Sequence, residues 1–167
     1  MSQFFAANGA APTTASYVAV TTGTAIKTML QVLPGANNPI WIKAWGISFD
    51  GSAAATPIAC ESMTTGTIAA TVTAHAAAGV QPWQPGGVVP VSTVTLSTTG
   101  TGYTSSAEGT ITASKTFDLQ FIAPTNQYVM MFPLGDEPMV KAADVLRIRL
   151  DATAAVNCYC WIRWDER

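Results

Sequence analysis

Charge is what this chain has least of. Eight basic and ten acidic residues make 11% of its 167 positions, against roughly 25% in an ordinary soluble domain. With a net charge of only −2, a lone monomer is poorly protected against association. Thr, Ser, Asn and Gln must dress the surface, or other subunits must cover it; both are expected. Eight scattered cations and a pI near 5.1 form no basic stripe, which argues against a nucleic-acid partner. No apolar run approaches the ~18 residues of a membrane-spanning helix, so no membrane partner is expected. The opening MSQFFAANGAAPTTAS has no basic segment leading into a long apolar stretch, and no secretory signal is expected from it.

Histidine occurs once, at His75, and cysteine three times, at Cys60, Cys158 and Cys160. Zinc needs more ligands than this spacing offers, and a hydrolase triad would need a nucleophile elbow that no segment supplies. The GxG within TGTGY, residues 99–103, belongs to no strand–loop–helix unit that could cradle a phosphate. The reading is an enzyme-free, cofactor-free and metal-free protein with buried thiols, folded in a reducing cytoplasm. Amphipathic helices are missing too. TVTAHAAAG, residues 71–79, has an Ala run that favours helix and Thr and Val that oppose it, and supports one turn at most.

Short strands are what the chain does contain. In AVNCYCWIRWDE, Val156, Cys158, Cys160, Ile162 and Trp164 alternate with Asn157, Tyr159, Trp161, Arg163 and Asp165, the period of a strand with one buried face. VLRIRLD puts Leu146, Ile148 and Leu150 inward and Arg147 and Arg149 outward. FDLQF reads as Phe117, Leu119 and Phe121 inward, with Asp118 and Gln120 outward. IWIKAWGISF is apolar on both faces, as a central or subunit-covered strand would be. Further strands are expected near residues 17–22, 28–33, 57–63, 92–97 and 128–132. About eight or nine strands in one domain of this length predict an all-β, single-domain β-sandwich, preferably jelly-roll-like. That domain spans residues 15–167, with a Pro- and Gly-rich loop at 79–91 around Trp83 and a small-residue loop or hairpin tip at 97–110. Residues 1–14 lack periodicity, carry Asn8-Gly9 and Pro12, and read as an extended N-terminal arm whose apolar payload is Phe4 and Phe5.

Asp136 and Glu137 are the adjacent acids of PLGDEP. Neighbouring turn residues point in different directions, whereas a glycosidase needs two carboxyls facing each other across a cleft. Gly135 suits a positive φ and Pro133 and Pro138 end the flanking strands, so this stretch is expected to be a turn. The aromatics say more. Tyr159 and Trp161 fall on the opposite face from Cys158, Cys160 and Ile162. They either lie beneath a second sheet of the same chain, form a carbohydrate platform, or anchor a protein interface, where Trp and Tyr are enriched.

WGISFDG, PLGDEP and VLRIRLDATAAVNCYCWIRWDE, in that order and spacing, resemble small all-β virion proteins of tailed bacteriophages, of head-decoration (cement) type. The resemblance covers roughly residues 25–50 and 117–166. It implies a jelly-roll-like module assembled in the host cytoplasm and displayed on the particle, often as a trimer, without saying which part of the virion carries it. The expectation is a homotrimer on the outer surface of the head, with the major capsid protein as its other partner. The functional expectation is therefore a non-enzymatic subunit that cross-links shell proteins, with Phe4, Phe5, Trp83, Tyr159 and Trp161 as candidate interface residues. The alternative is a tail- or fibre-associated module binding a host-surface glycan or protein, with Trp83 or Tyr103 as the ligand platform.

Overall fold

The computed structural model describes residues 2–9, 20–51, 56–73, 81–94 and 104–167. Among them there is no helix; the chain is all-β. The strands are β1 (Ser2–Ala7), β2 (Val20–Thr21), β3 (Ile26–Leu33), β4 (Ile40–Asp50), β5 (Ile58–Thr64), β6 (Thr71–Thr73) and β7 (Gln81–Pro82). They continue as β8 (Thr93–Val94), β9 (Thr104–Ala107), β10 (Lys115–Ile122), β11 (Gln127–Met131), β12 (Met139–Val140), β13 (Leu146–Asp151) and β14 (Asn157–Glu166). A seven-stranded antiparallel sheet runs β11-β4-β14-β1-β7, with β12 beside β4 and β2 beside β14. A five-stranded antiparallel sheet runs β10-β5-β13-β3-β8, and β6 pairs with β9 alone.

The two large sheets share one core and make a β-sandwich-like body. Its centre is the inward face of β14: Cys158, Cys160, Ile162 and Trp164 are all buried, as their alternation predicts. β4 is a central strand between β11 and β14, which explains why its sequence is apolar on both faces. Trp45 and Ile47 from β4 meet Leu30, Ile148 and Cys60 from the five-stranded sheet in this core. The three thiols are free and buried. Burial pushes the Cys60 and Cys160 thiols well above the usual range, and the neighbouring Cys158 adds to this. Both therefore stay protonated near neutral pH and behave as small apolar groups.

Three expectations need correction. The first is the arm. Residues 2–7 form β1, which pairs with β14 from Ser2↔Glu166 to Ala7↔Trp161. Phe4 has no exposed surface and packs on Trp164 at 5.8 Å between ring centroids. Asn8, expected to lie in the arm, extends the pairing with its side chain. Its amide donates to the Cys158 carbonyl at 3.3 Å and its Oδ1 accepts from the Cys160 N–H at 2.8 Å. Buried in this way, an Asn substitutes for the backbone partners that β14 would otherwise lack. Residues 10–14 lie outside the described residues.

The second correction is the face of β10. Its alternation is real but inverted: Leu119 and Phe121 are 50% and 73% exposed, while Asp118 and Gln120 turn inward. A bulge between Thr116 and Asp118 resets the register against β5, and a one-residue shift exchanges the two faces. Phe117, the bulge residue, still packs against the core. Asp118 is satisfied there by the Trp45 indole N–H at 3.2 Å and the Tyr128 hydroxyl at 2.9 Å. Burial and this bond push the Tyr128 hydroxyl up to about 12.

The third concerns a side chain that points outward without reaching solvent. Arg147 leaves the inter-sheet core, as its alternation predicts, yet is fully buried. Glu108 covers it, with Oε2 2.9 Å from the guanidinium, and also accepts from the Thr28 N–H at 2.7 Å. Ile68 offers its carbonyl to the same guanidinium. Segments around β6 and β9 thus form a further layer over the five-stranded sheet, closed by a charge-assisted network. Residues 71–73 of the expected helical turn are strand β6, and 74–79, with His75, lie outside the described residues.

Phe4→Ala tests the first correction. A core phenylalanine truncated to alanine costs about 3–5 kcal/mol, so thermal or urea unfolding of the isolated protein should show a loss of that size. A loss near zero would mean that β1 is not part of the folded body.

Candidate interaction surface

The outward face of the seven-stranded sheet is built in rows, because residues paired across antiparallel strands share a face. Met131, Ala44, Arg163, Phe5 and Gln81 form one row, and Val129, Gly46, Trp161 and Ala7 form the next. Small residues make the floor. Gly46 has a specific role there: a Cβ at this position would sit 2.6 Å from the Trp161 ring. The indole therefore lies flat on the β4 backbone, a close approach that only glycine permits in a central strand. Trp161 stacks on Phe5 with centroids 5.9 Å apart. Val129 and Met131 stand at the β11 side of the floor, 52% and 63% exposed.

The rim is charged. The Arg163 guanidinium lies 4.5 Å above the Trp83 ring, and that of Arg167 lies 4.5 Å above Trp41. Such contacts hold a cation and an aromatic together while leaving outer edges for solvent or a partner. Beside them Lys43 reaches Glu137 at 2.6 Å and Asp165 at 3.9 Å. An apolar, aromatic-bearing centre inside a polar rim has the layout of a protein–protein interface.

The expected turn at PLGDEP is present. The Asp136 N–H donates to the Pro133 carbonyl at 3.0 Å, and Gly135 has φ +97°. The two acids diverge. Asp136 is exposed, whereas Glu137 folds back to accept from the Gly135 N–H at 2.8 Å while bound to Lys43. Glu137 thus does more than occupy the turn, because it ties the turn to β4. The Lys43 bond, then the Gly135 N–H, hold its carboxyl at about 2 instead of the ordinary 4.5.

Of the five candidate interface residues, the structure brings four to this face. Phe5, Tyr159 and Trp161 stand on it, and Trp83 joins through Arg163. Phe4 is on the opposite side, in the core. Val129, Met131, Gly46 and Arg163 were not singled out from the sequence. The glycine inside an otherwise apolar strand pattern was the available signal, and Val129 and Met131 needed the register of β11. Trp83 also borders a cleft of about 330 Å³ lined by Gln3, Pro82, Gln84 and Gly87. Tyr103 lies outside the described residues. No protein-family model, curated protein or solved structure matches this chain.

The depressed Glu137 carboxyl predicts a pH signature. Its contribution to stability is complete above the unfolded value near 4.5 and is lost as pH falls toward 2. Urea midpoints of the wild type and Glu137→Gln should differ by a constant amount above pH 5 and converge toward pH 2. A gap that does not change with pH would remove the Lys43–Glu137 bond from the account.

Proposed function

We propose that this chain is a non-enzymatic structural subunit of a tailed-phage virion, a head-decoration protein with a jelly-roll-like sandwich. It acts as a homotrimer on the outer surface of the head, bound to the major capsid protein, after assembly in the host cytoplasm, and it binds neither nucleic acid nor membrane. The observation that carries this reading is the Phe5–Trp161 stack lying over Gly46, beside exposed Val129 and Met131. Exposed apolar area in one contiguous patch marks a binding surface more than a solvent-facing one. The three stretches that carry the phage-virion resemblance contribute to this face: WGISFDG runs along β4, PLGDEP is the turn tied to Lys43, and the end of the last segment is β14, while its beginning, β13, belongs to the five-stranded sheet. Burying the face against neighbouring subunits would stabilise a shell by mass action, since only the folded, assembled state is bound.

A second reading, a tail- or fibre-associated module that binds a host glycan, is favoured by one observation. Trp83 is half-exposed and borders a cleft whose lining includes the polar residues Ser2, Gln3 and Gln84. Copy number separates the two. A cryo-EM map of a virion containing the chain should show hundreds of copies on the shell; a few copies at the tail would favour the glycan reading.

The face itself is tested by Trp161→Ala. A central aromatic anchor typically contributes more than about 2 kcal/mol to association, so sedimentation equilibrium should show assembly weakened at least ~30-fold. Unchanged association would place the interface elsewhere.

A further inference from the structure

We propose that the free edge of β10 is a second, independent association site, at which two copies of this chain pair antiparallel about a twofold axis centred on Gln120. The inference starts from the unequal edges of the two sheets. At one side of the body the edge strands are β7 and β8, each two residues long, and β7 ends in Pro82. Short strands and proline are the usual means of blocking edge pairing. On the other side β10 runs for eight residues without a proline and, among the described residues, is hydrogen-bonded only to β5. Every second backbone N–H and C=O of such a strand points away from its single neighbour and is available to another strand. Its solvent-facing side chains, Leu119 and Phe121, are apolar and at least half exposed.

The occupant follows from the pattern of the strand itself. Across an antiparallel pair, opposed residues share a face, so the registers that keep Leu119 and Phe121 on the outer face are few. Centring on Leu119 would set Phe121 opposite Phe117, which is half-buried in the bulge. Centring on Phe121 would set Leu119 against Ala123, beyond the strand end at Ile122. Centring on Gln120 sets Leu119 opposite Phe121 of the second copy and Phe121 opposite its Leu119, two aliphatic–aromatic pairs of the kind that stabilise sheets. The inward residues, Asp118 and Ile122, keep their own partners within each body. Both Lys115 residues fall outside the paired segment and at opposite ends, so no like charges meet. The strand is its own complement about Gln120, which selects a second copy over an unrelated chain.

The test uses full-length protein in a Trp161→Ala background, so that the other face does not contribute. Leu119→Cys and Phe121→Cys are prepared separately; the native thiols are buried and do not compete. On mild oxidation the mixture should form a disulfide-linked dimer at least ~10-fold faster than either variant alone, because only opposed positions bring Cβ atoms within bonding range. Phe121→Lys, at an exposed position that leaves the melting curve unchanged, should abolish the dimer in sedimentation velocity. Equal linking in the unmixed variants overturns the register and with it the proposal. A dimer that survives Phe121→Lys, or protein that is monomeric up to hundreds of micromolar, overturns it as well. None of these results bears on the Trp161 face, which the cryo-EM copy number and the sedimentation of Trp161→Ala test separately.

Discussion

Ten residue pairs between β14 and β4 are the constraint on which the rest of the structure depends. The register from Asn157↔Asp50 to Glu166↔Ile40 decides which side chains enter the core and which build the outer face. Inward it stacks Cys160, Ile162 and Trp164 against the second sheet. Outward it places Trp161 over Gly46. The shift between Arg163 and Trp164 leaves Lys43 as the extra residue of β4, and its ammonium group reaches Glu137 and Asp165. One bulge therefore gives the apolar floor a charged rim at its end. The far end of β14 organises the Pro-rich loop as well, because Glu166 accepts from the Val91 and Ser92 N–H groups at 2.9 and 3.0 Å.

Where a segment's alternation is strict and both neighbours are regular strands, its sequence alone was enough to read it. The inward faces of β13 and β14 were legible residue by residue, and β4 was legible as a central strand. Legibility failed where tertiary context overrides the local pattern. SQFFAAN has no period because Phe4 and Ala6 face the core while Phe5 faces the aromatic patch; both faces of β1 are apolar, which removes the alternation. β10 has a clear period, but period does not say which face is inside, and only its bulge and the Trp45–Asp118 bond determine that. Arg147 looked like an ordinary solvent-facing cation, and nothing local announces the layer that covers it. The candidate surface was half legible. Tyr159 and Trp161 follow from the alternation of β14, whereas Val129 and Met131 join them only through pairing with β4.

The outer face and the β10 edge differ in kind. The face offers side-chain area with flat aromatic anchors and a charged rim, a surface suited to a large partner or to several copies around an axis. The edge offers backbone hydrogen bonds and two apolar pairs, suited to one strand and a twofold. A subunit with both proposed contacts could close a ring through one and pair about a twofold through the other, two distinct symmetry operations. The low charge of the chain fits the proposal that two of its surfaces are covered by other subunits.

The central claim is that the outer face of the seven-stranded sheet is buried on assembly. Oxidative footprinting read at Met131 tests it most directly, since this thioether is 63% exposed in the single subunit and its sulfoxide is readily detected by mass. Oxidation of Met131 should slow at least ~10-fold between dilute protein and the assembled particle, as contact excludes solvent from an interface core. Equal oxidation rates in the two states would contradict the account.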